Sequence, residues 1–188
     1  MTMERIAEMS ISTQRLIIRR FSEKDAAGLF ALRSDPDTCS DNGGYAPVLA
    51  MDEGFNGLVR QFVQDPGRFS IIVRSTGEVA GNLHVMEPPP PGRGVPALEL
   101  GYSISKDFRR QGIATEAVKA VMDYCCQEAG TELFLAGVFS FNLASQKMLE
   151  KLGFIREGIT YKAVDHPVHG LVDMVNYYWE KPEADQAG

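Results

Sequence analysis

The chain has 188 residues, 44% of them hydrophobic, and its 19 basic and 25 acidic side chains give a formal net charge of −6 at pH 7. This length fits one globular domain, the composition excludes a mostly disordered, collagen-like or heptad-only chain, and the acidic balance disfavours a nucleic-acid partner. Because no apolar run approaches the roughly 20 residues of a membrane helix and the N-terminus lacks a signal-peptide core, we expect a cytoplasmic protein with no membrane partner.

The domain organisation is simple, because the chain shows neither an internal repeat nor an interdomain linker. We predict one domain over residues 11–181, with a flexible leader at 1–10 and a flexible tail at 182–188. The three cysteines have neither the pattern of a disulfide framework nor the spacing of zinc ligands, so we predict buried thiols and no metal site. They are Cys39, Cys125 and Cys126.

Apolar periodicity predicts the elements of the first half of the chain. Ser22, with Asp25 three residues later, is typical of a helix start. In chain order we predict a strand at 15–21, a helix at 25–33, a Pro- and Gly-rich loop at 34–47, a helix at 52–64, and strands at 69–74 and 78–86.

In the second half, four consecutive prolines at 88–91 predict a stiff surface loop. The elements after that loop are a strand at 97–104, a helix at 112–128, a strand at 132–139, a helix at 144–152, and strands at 154–161 and 171–179. This order predicts an α/β protein with a mixed sheet flanked by helices and a strand–loop–helix crossover at 97–128.

The segment RRQGIA, residues 109–114, connects the strand and helix of that crossover. The small residues Gly112 and Ala114 let the backbone approach a pyrophosphate, while unsatisfied N–H groups and the helix dipole favour negative charge there. The segment is neither a Walker A loop nor a dinucleotide fingerprint, and an ordinary glycine-containing β–α turn is the alternative. Three cations support a phosphate site: Lys106, Arg109 and Arg110.

Two segments together resemble a known family. RRQGIATEA, from residue 109, resembles the acyl-CoA pyrophosphate loop of the GNAT superfamily of N-acetyltransferases, and NLASQKMLEKLGF, from residue 142, resembles its second CoA-binding segment. RLIIRRFSEKDAAGLFAL and LELGYSI are further matches, so the resemblance covers about residues 12–181. Ser145, where an alanine is the other form, resembles the RimJ/RimL-like branch of ribosomal-protein N-acetyltransferases.

The resemblance implies the α/β GNAT fold, with a mixed, mostly antiparallel sheet of about seven strands, a splayed centre and about four flanking helices. It also implies acetyl-CoA as the acyl donor, bound between the diverging strands 97–104 and 132–139. Along the pantetheine arm, the residues expected to bind it are Tyr102, Ser103 and Ile104. At the pyrophosphate, they are Arg109, Arg110, Gln111, Gly112, Ile113, Ala114 and Thr115. Asn142 is expected to bind the arm or to hold the loop, and Lys147 is expected to contact the nucleotide phosphate.

Acyl transfer to an amine needs a proton acceptor, oxyanion donors and an acid for the thiolate. Glu99, which interrupts an apolar strand two residues before Gly101, is our candidate base; a solvent-facing glutamate or an ion pair with Arg93 is the alternative. Ser145 is our candidate acid; a serine satisfied by its own backbone is the alternative. Leu149 stands where many members of the superfamily have a tyrosine, which leaves Tyr102 and Tyr161 as less favoured acids.

We therefore expect an N-acetyltransferase that moves an acetyl group directly to a primary amine, on a protein N-terminus or a small molecule. A CoA-binding module without turnover is the second hypothesis. The resemblance alone implies a homodimer and an acceptor pocket lined by the hairpin at 162–173, where Asp165 and Asp173 would meet a cationic amine. His166 and His169 of this hairpin are predicted to lie in a polar loop.

Overall fold

The structure, a computed structural model, describes residues 2–182. Its helices are α1 (Thr2–Ala7), α2 (Ala26–Ser34), α3 (Pro36–Asp41), α4 (Glu53–Gln64), α5 (Ile113–Glu128) and α6 (Leu143–Lys151). Its strands are β1 (Ser10–Ser12), β2 (Leu16–Arg20), β3 (Arg68–Val73), β4 (Val79–Met86), β5 (Ala97–Ile104), β6 (Leu133–Phe139), β7 (Ile155–His166) and β8 (Gly170–Glu180).

All eight strands form one sheet in the order β1-β2-β3-β4-β5-β6-β8-β7. Every neighbouring pair is antiparallel except β5 and β6, which run parallel because α5 carries the chain back between them. Their pairing covers three positions and ends at Glu99–Leu135, after which the two strands diverge. The predicted mixed, mostly antiparallel sheet with a splayed centre is confirmed.

The two faces of the sheet carry different helices. Leu98 and Leu100 of β5 are buried in the main core together with Val118 and Val121 of α5, so we name this side the α5 face; it also carries α6. Side chains alternate along a strand, so Glu99 and its alternate neighbours point to the other side, against which α2 packs. We name that side the α2 face.

The structure differs from the sequence prediction in two N-terminal segments, the expected leader and the expected loop at 34–47. Residues 2–7 of the expected leader are the helix α1, and Ile6 and Met9 are buried in the main core. The predicted loop at 34–47 contains α3, because Asp35 accepts a hydrogen bond from the Thr38 N–H at 3.0 Å and Pro36 occupies the first turn. The expected tail lies outside the described residues apart from Pro182.

The other predicted elements are present, with ends shifted by a few residues. Asp25 Oδ2 accepts from the Ser22 N–H at 2.9 Å, as the capping box before α2 requires. The largest shift is in the last hairpin, where β7 and β8 are longer than expected and a bulge lies between Thr160 and Val164. Within residues 2–182, no helix is both long and apolar enough to cross a bilayer.

Candidate active site

An opening through the sheet lies where β5 and β6 diverge. Gly101 and Gly137 flank it, and a cavity of about 190 Å³ fills it, lined by both strands, by Tyr102 and by Ser145 of α6. A Cβ on Gly137 would come within 3.3 Å of the Met174 side chain, a tight contact that would require this methionine to shift. Cavities on both faces of the sheet share lining residues with the opening, so they adjoin it from both sides.

On the α5 face, a cavity of about 530 Å³ lies at the start of α5. The helix has Gly112 as its N-cap, at φ 77° and with no side-chain cap, and Arg110 is also left-handed at φ 61°. Among residues 2–182, no protein acceptor is hydrogen-bonded to the N–H groups of 111–115. Free N–H groups, the helix dipole and a strained loop together form a cradle for an anion.

Arg15, which directly precedes β2, holds this loop in place. Its Nη1 donates to the Gln111 carbonyl at 2.9 Å, and its Nη2 lies 2.7 Å from Glu116 Oε2 in the first turn of α5. The Gln111 side chain donates to the Asp107 carbonyl at 2.8 Å. Sequence reasoning placed Arg15 only in a strand, because nothing local links it to a loop almost one hundred residues later.

The predicted phosphate-binding cations divide into engaged and exposed groups. Lys106 lies 3.3 Å from Asp35, and Arg109 donates to Asp41 at 3.0 Å and to Thr38 at 2.9 Å, so both tie the loop to α3. Arg110 and Lys147 are exposed and form no salt bridge within the described residues; Arg110 lines the cavity and Lys147 does not.

Asn142 holds the start of α6 in place. Its Oδ1 accepts from the Ser145 N–H at 3.1 Å, and its Nδ2 donates to the Asp41 carbonyl at 3.2 Å. Of the two roles expected for Asn142, the structure shows the one that holds the loop. Its side chain also lines the cavities at the opening and at the start of α5.

Tyr102 and Ser145 meet at the opening, with 2.6 Å between the phenol oxygen and Ser145 Oγ. Burial raises the pKa of Tyr102 to about 12, although the hydrogen bond with Ser145 acts in the opposite direction. The phenol is therefore protonated at neutral pH and can donate a hydrogen bond. The sequence offered both residues as separate acids but not this pair, since 43 positions separate them.

Glu99 lies on the α2 face and lines a cavity of about 420 Å³ beside the opening. Arg93 does not pair with it but binds Glu157 through two bonds of 2.8 Å. In the described part of the chain the Glu99 carboxylate accepts no side-chain hydrogen bond, and the two cavities share Ala136, Gly137 and Met174. The ion-pair alternative for Glu99 is therefore wrong.

His84 of β4 is a site residue that sequence reasoning missed. It pairs with Gly101 across the two strands, and its Nε2 lies 3.0 Å from Asp65 Oδ2. Burial and the charge of Arg68 lower the pKa of His84 to about 4 against the opposing effect of Asp65. The imidazole is thus neutral at pH 7 and donates its Nε2 proton to Asp65. No motif marks this dyad, because strand pairing creates it.

The last hairpin binds to α3 rather than standing free. His166, expected in a polar loop, is 1% exposed; its Nδ1 accepts from the N–H groups of Val168 and His169, which leaves Nε2 to donate to the Ser40 carbonyl at 3.0 Å. Asp173 accepts from the Lys162 N–H at 2.8 Å and so anchors the bulge.

The predictions for metals and thiols can be compared with the described residues. No group of three His, Cys, Asp or Glu side chains that could hold a metal occurs in residues 2–182. Cys39 and Cys125 are buried, and burial raises the pKa of the Cys125 thiol to about 12, while Cys126 is half-buried. The predicted burial is confirmed for Cys39 and Cys125.

Comparison with known proteins agrees with this geometry. Residues 15–155 match the family model for an acetyltransferase (GNAT) domain. An uncharacterized N-acetyltransferase of Bacillus subtilis, YoaA, is 29% identical over 154 residues, which cover 79% of this chain and 84% of that protein.

Two solved structures share the fold. The ribosomal-protein-S5-alanine acetyltransferase of Vibrio fischeri has a TM-score of 0.75 at 18% identity and covers 93% of this chain and 98% of its own. The spermidine N-acetyltransferase of Vibrio cholerae, in complex with CoA and spermine, has a TM-score of 0.74 at 17% identity and covers 89% and 96%. With the family model spanning most of the sequence, the chain belongs to the GNAT family of acetyltransferases.

Proposed function

We propose that this protein transfers the acetyl group of acetyl-CoA to a primary amine by direct attack, without a covalent enzyme intermediate. The observation that carries the proposal is the opening between β5 and β6, which adjoins the cradle at the start of α5 and cavities on the α2 face. Donor and acceptor can then approach from opposite faces and meet between Gly101 and Gly137. Acetyl-CoA supplies an activated thioester there.

The residues that we assign to acetyl-CoA binding lie on the α5 face. The N–H groups of 111–115 and the exposed Arg110 hold the diphosphate, and Gly112 leaves the approach free. Beyond Glu99, the edge of β5 facing β6 has no strand partner within residues 2–182, so Tyr102, Ser103 and Ile104 can bind the pantetheine arm as an added strand. Lys147 lies outside the cavity, and its contact with the nucleotide phosphate stays a prediction.

The catalytic residues come from both faces. We assign Ser145 as the proton donor to the leaving sulfur, with the Tyr102 phenol hydrogen-bonded to it at 2.6 Å and able to replace the proton. We assign Glu99 as the acceptor of the amine proton, directly or through water, because its carboxylate is not paired with Arg93 and lies beside the opening. No cysteine lines the opening, which supports direct transfer.

The proposal extends to the branch of the family, the acceptor class, the cellular location and the oligomeric state. Ser145 supports a RimJ/RimL-like branch, and the two solved relatives, one named for a ribosomal protein and one for a polyamine, represent the two acceptor classes that the sequence leaves open. The free thiols support a cytoplasmic site of action. Exposed Tyr161 and Leu171 on the last hairpin support a homodimer, which light scattering tests.

The experiment is a thiol-release assay with acetyl-CoA and a panel of amines and N-terminal peptides, combined with calorimetric measurement of CoA binding. The proposal expects CoA to bind and at least one amine to accelerate thiol release with formation of its acetyl derivative. CoA binding without acceleration by any amine would instead support a CoA-binding module. Stabilisation by other nucleotides but not by CoA would contradict both.

A further inference from the structure

We propose that the acceptor is a small primary amine that also carries an anionic group, a carboxylate or a phosphate, which Arg33 and Arg68 bind on the α2 face. This inference rests on the proposed acetyl transfer and names the acceptor class of the same site.

The acceptor end of the site is a cavity of about 340 Å³ between α2, α3, β4 and β5, which we name the arginine cavity. It shares Gly101, Tyr102 and Asn42 with the opening, so a molecule bound here lies next to the point where β5 and β6 diverge. Its volume falls at the lower end of the range of small-molecule sites. A ligand of amino-acid size fits such a space better than a folded protein surface does.

The charge of the arginine cavity is positive. Its lining contains two guanidinium groups, Arg33 and Arg68, and no carboxylate. Arg68 donates to Asp65 Oδ2 at 3.1 Å, but the same oxygen also lies 3.0 Å from His84 Nε2, so one carboxylate serves two donors. The positive charge of Arg68 lowers the pKa of His84, a residue that also lines the cavity.

Arg33 is the group that most clearly lacks a partner. Its guanidinium carbon lies 3.9 Å from the centre of the Tyr45 ring, and within residues 2–182 the guanidinium forms no salt bridge or hydrogen bond with a protein group. Its Nε is buried with no hydrogen-bond partner. A guanidinium without an acceptor is costly, and a planar carboxylate or a phosphate in the cavity would give the accessible part of this group an acceptor.

The negative charge of the site lies on the opposite side of the opening. Glu99 and Glu157 line the neighbouring cavity, where Arg93 neutralises only Glu157. A ligand with its anionic group at Arg33 and its ammonium group towards Glu99 matches this separation of charge. A polyamine does not, since its second cation would face Arg33 and Arg68. Asp173, expected to meet a cationic amine, is already bonded to the Lys162 N–H.

The test compares amines that differ only in the anionic group: methionine with methioninamide, O-phosphoethanolamine with ethanolamine, and spermidine as the polyamine. In the thiol-release assay we expect kcat/KM to be at least about 10-fold higher for the anionic member, as one hydrogen bond to a charged group implies. An Asp-Ala-Ala peptide amide and its Asn-Ala-Ala counterpart separate a free small molecule from a peptide that carries a carboxylate.

Substitutions of Arg33 test whether this residue causes the preference for the anionic amine. Arg33→Gln is expected to abolish the preference for methionine over methioninamide and to leave CoA affinity unchanged, whereas Arg33→Lys retains part of the preference. Arg60→Gln, which changes an exposed arginine of α4 paired with Glu53, is the matched control and keeps the wild-type preference. Unfolding temperatures measured on each variant separate a loss of recognition from a loss of structure.

The outcomes distinguish the two proposals. Equal or faster turnover of methioninamide, spermidine or the Asn peptide, or an unaltered preference in Arg33→Gln, would overturn the anionic acceptor while leaving acetyl transfer intact. If no amine is acetylated, thermal shifts decide: stabilisation by methionine but not by methioninamide, lost in Arg33→Gln, would retain anion recognition and reject transfer. Absence of both responses would reject both.

Discussion

The α5 face and the α2 face of the sheet offer different parts of the chain to the ligands that we propose. On the α5 face the groups offered to a ligand belong mainly to the backbone, and they come from one continuous segment, 109–115. On the α2 face they are side chains from α2, β3, β4 and β5: the charged groups of Arg33, Arg68 and Glu99 and the neutral imidazole of His84.

This difference teaches how one fold can keep its acyl donor while the acceptor changes. A backbone cradle depends on a helix start and on small residues, so most side chains around it can vary without altering the ligand. A cavity lined by side chains changes its charge with every substitution. The two solved relatives, named for a ribosomal protein and for spermidine, share this fold at 18% and 17% identity.

We expect the largest effect from a substitution that blocks the backbone cradle. Gly112→Glu places a charged side chain at φ 77° in the path of the diphosphate, and we expect CoA affinity to fall at least about 100-fold, or roughly 3 kcal/mol. Gly77→Glu is the matched control, because Gly77 has φ 76° and open space around it but lies in the β3–β4 turn. Calorimetric titration with CoA measures both variants, and unchanged affinity in Gly112→Glu would contradict the cradle.

The next effect concerns a side chain of the α2 face. We expect Glu99→Gln to lower kcat at pH 7 by about 100-fold, since the variant has no carboxylate to accept the amine proton. CoA affinity should stay within about two-fold, because Glu99 does not line the cavity at α5. Glu132→Gln, an exposed glutamate next to β6, serves as control. Full activity of Glu99→Gln in the steady-state assay would remove this residue from the reaction.

The next effect concerns the pair of hydroxyl groups at the opening. We expect Tyr102→Phe and Ser145→Ala each to lower kcat by about 10-fold, and the double variant to lose little more, because each single change already breaks the 2.6 Å hydrogen bond. Tyr161→Phe, which alters a phenol that is 75% exposed, should behave as wild type. Additive losses in the double-mutant cycle would show that the pair does not act as a unit, and loss of activity in Tyr161→Phe would point to Tyr161 as the acid instead.

The last effect leaves activity at pH 7 aside: it is on stability and belongs to the α2 face. The pKa of His84 is about 4 in the folded protein, against 6.5 for an unperturbed histidine, so the unfolded chain binds the proton first and stability falls as pH drops from about 6.5 towards 4. We expect this group to cost about 2 kcal/mol at pH 5 relative to pH 7, and His84→Gln to remove that dependence. Urea unfolding at both pH values measures it; the exposed His169→Gln keeps the wild-type slope.

The sequence alone determined the parts of this protein that depend on neighbours along the chain. Alternating and helical periodicities located the predicted strands and helices, and the small residues of 109–114, followed by an amphipathic helix, indicated the cofactor loop. These signals are local, since capping, left-handed turns and free N–H groups are properties of a few successive residues. The resemblance added the splayed centre of the sheet, which the parallel pairing of β5 and β6 confirms.

Only the tertiary structure decided which side chains meet. Tyr102 reaches Ser145 across 43 positions, Arg109 binds α3 instead of staying free, and Arg33 shares a cavity with Arg68 and His84. Such contacts depend on strand register and on how α2 and α3 pack against the sheet, and neither can be read from a single segment. The leader was predicted wrongly for the same reason: Ile6 and Met9 are ordered by burial in a core that distant strands supply.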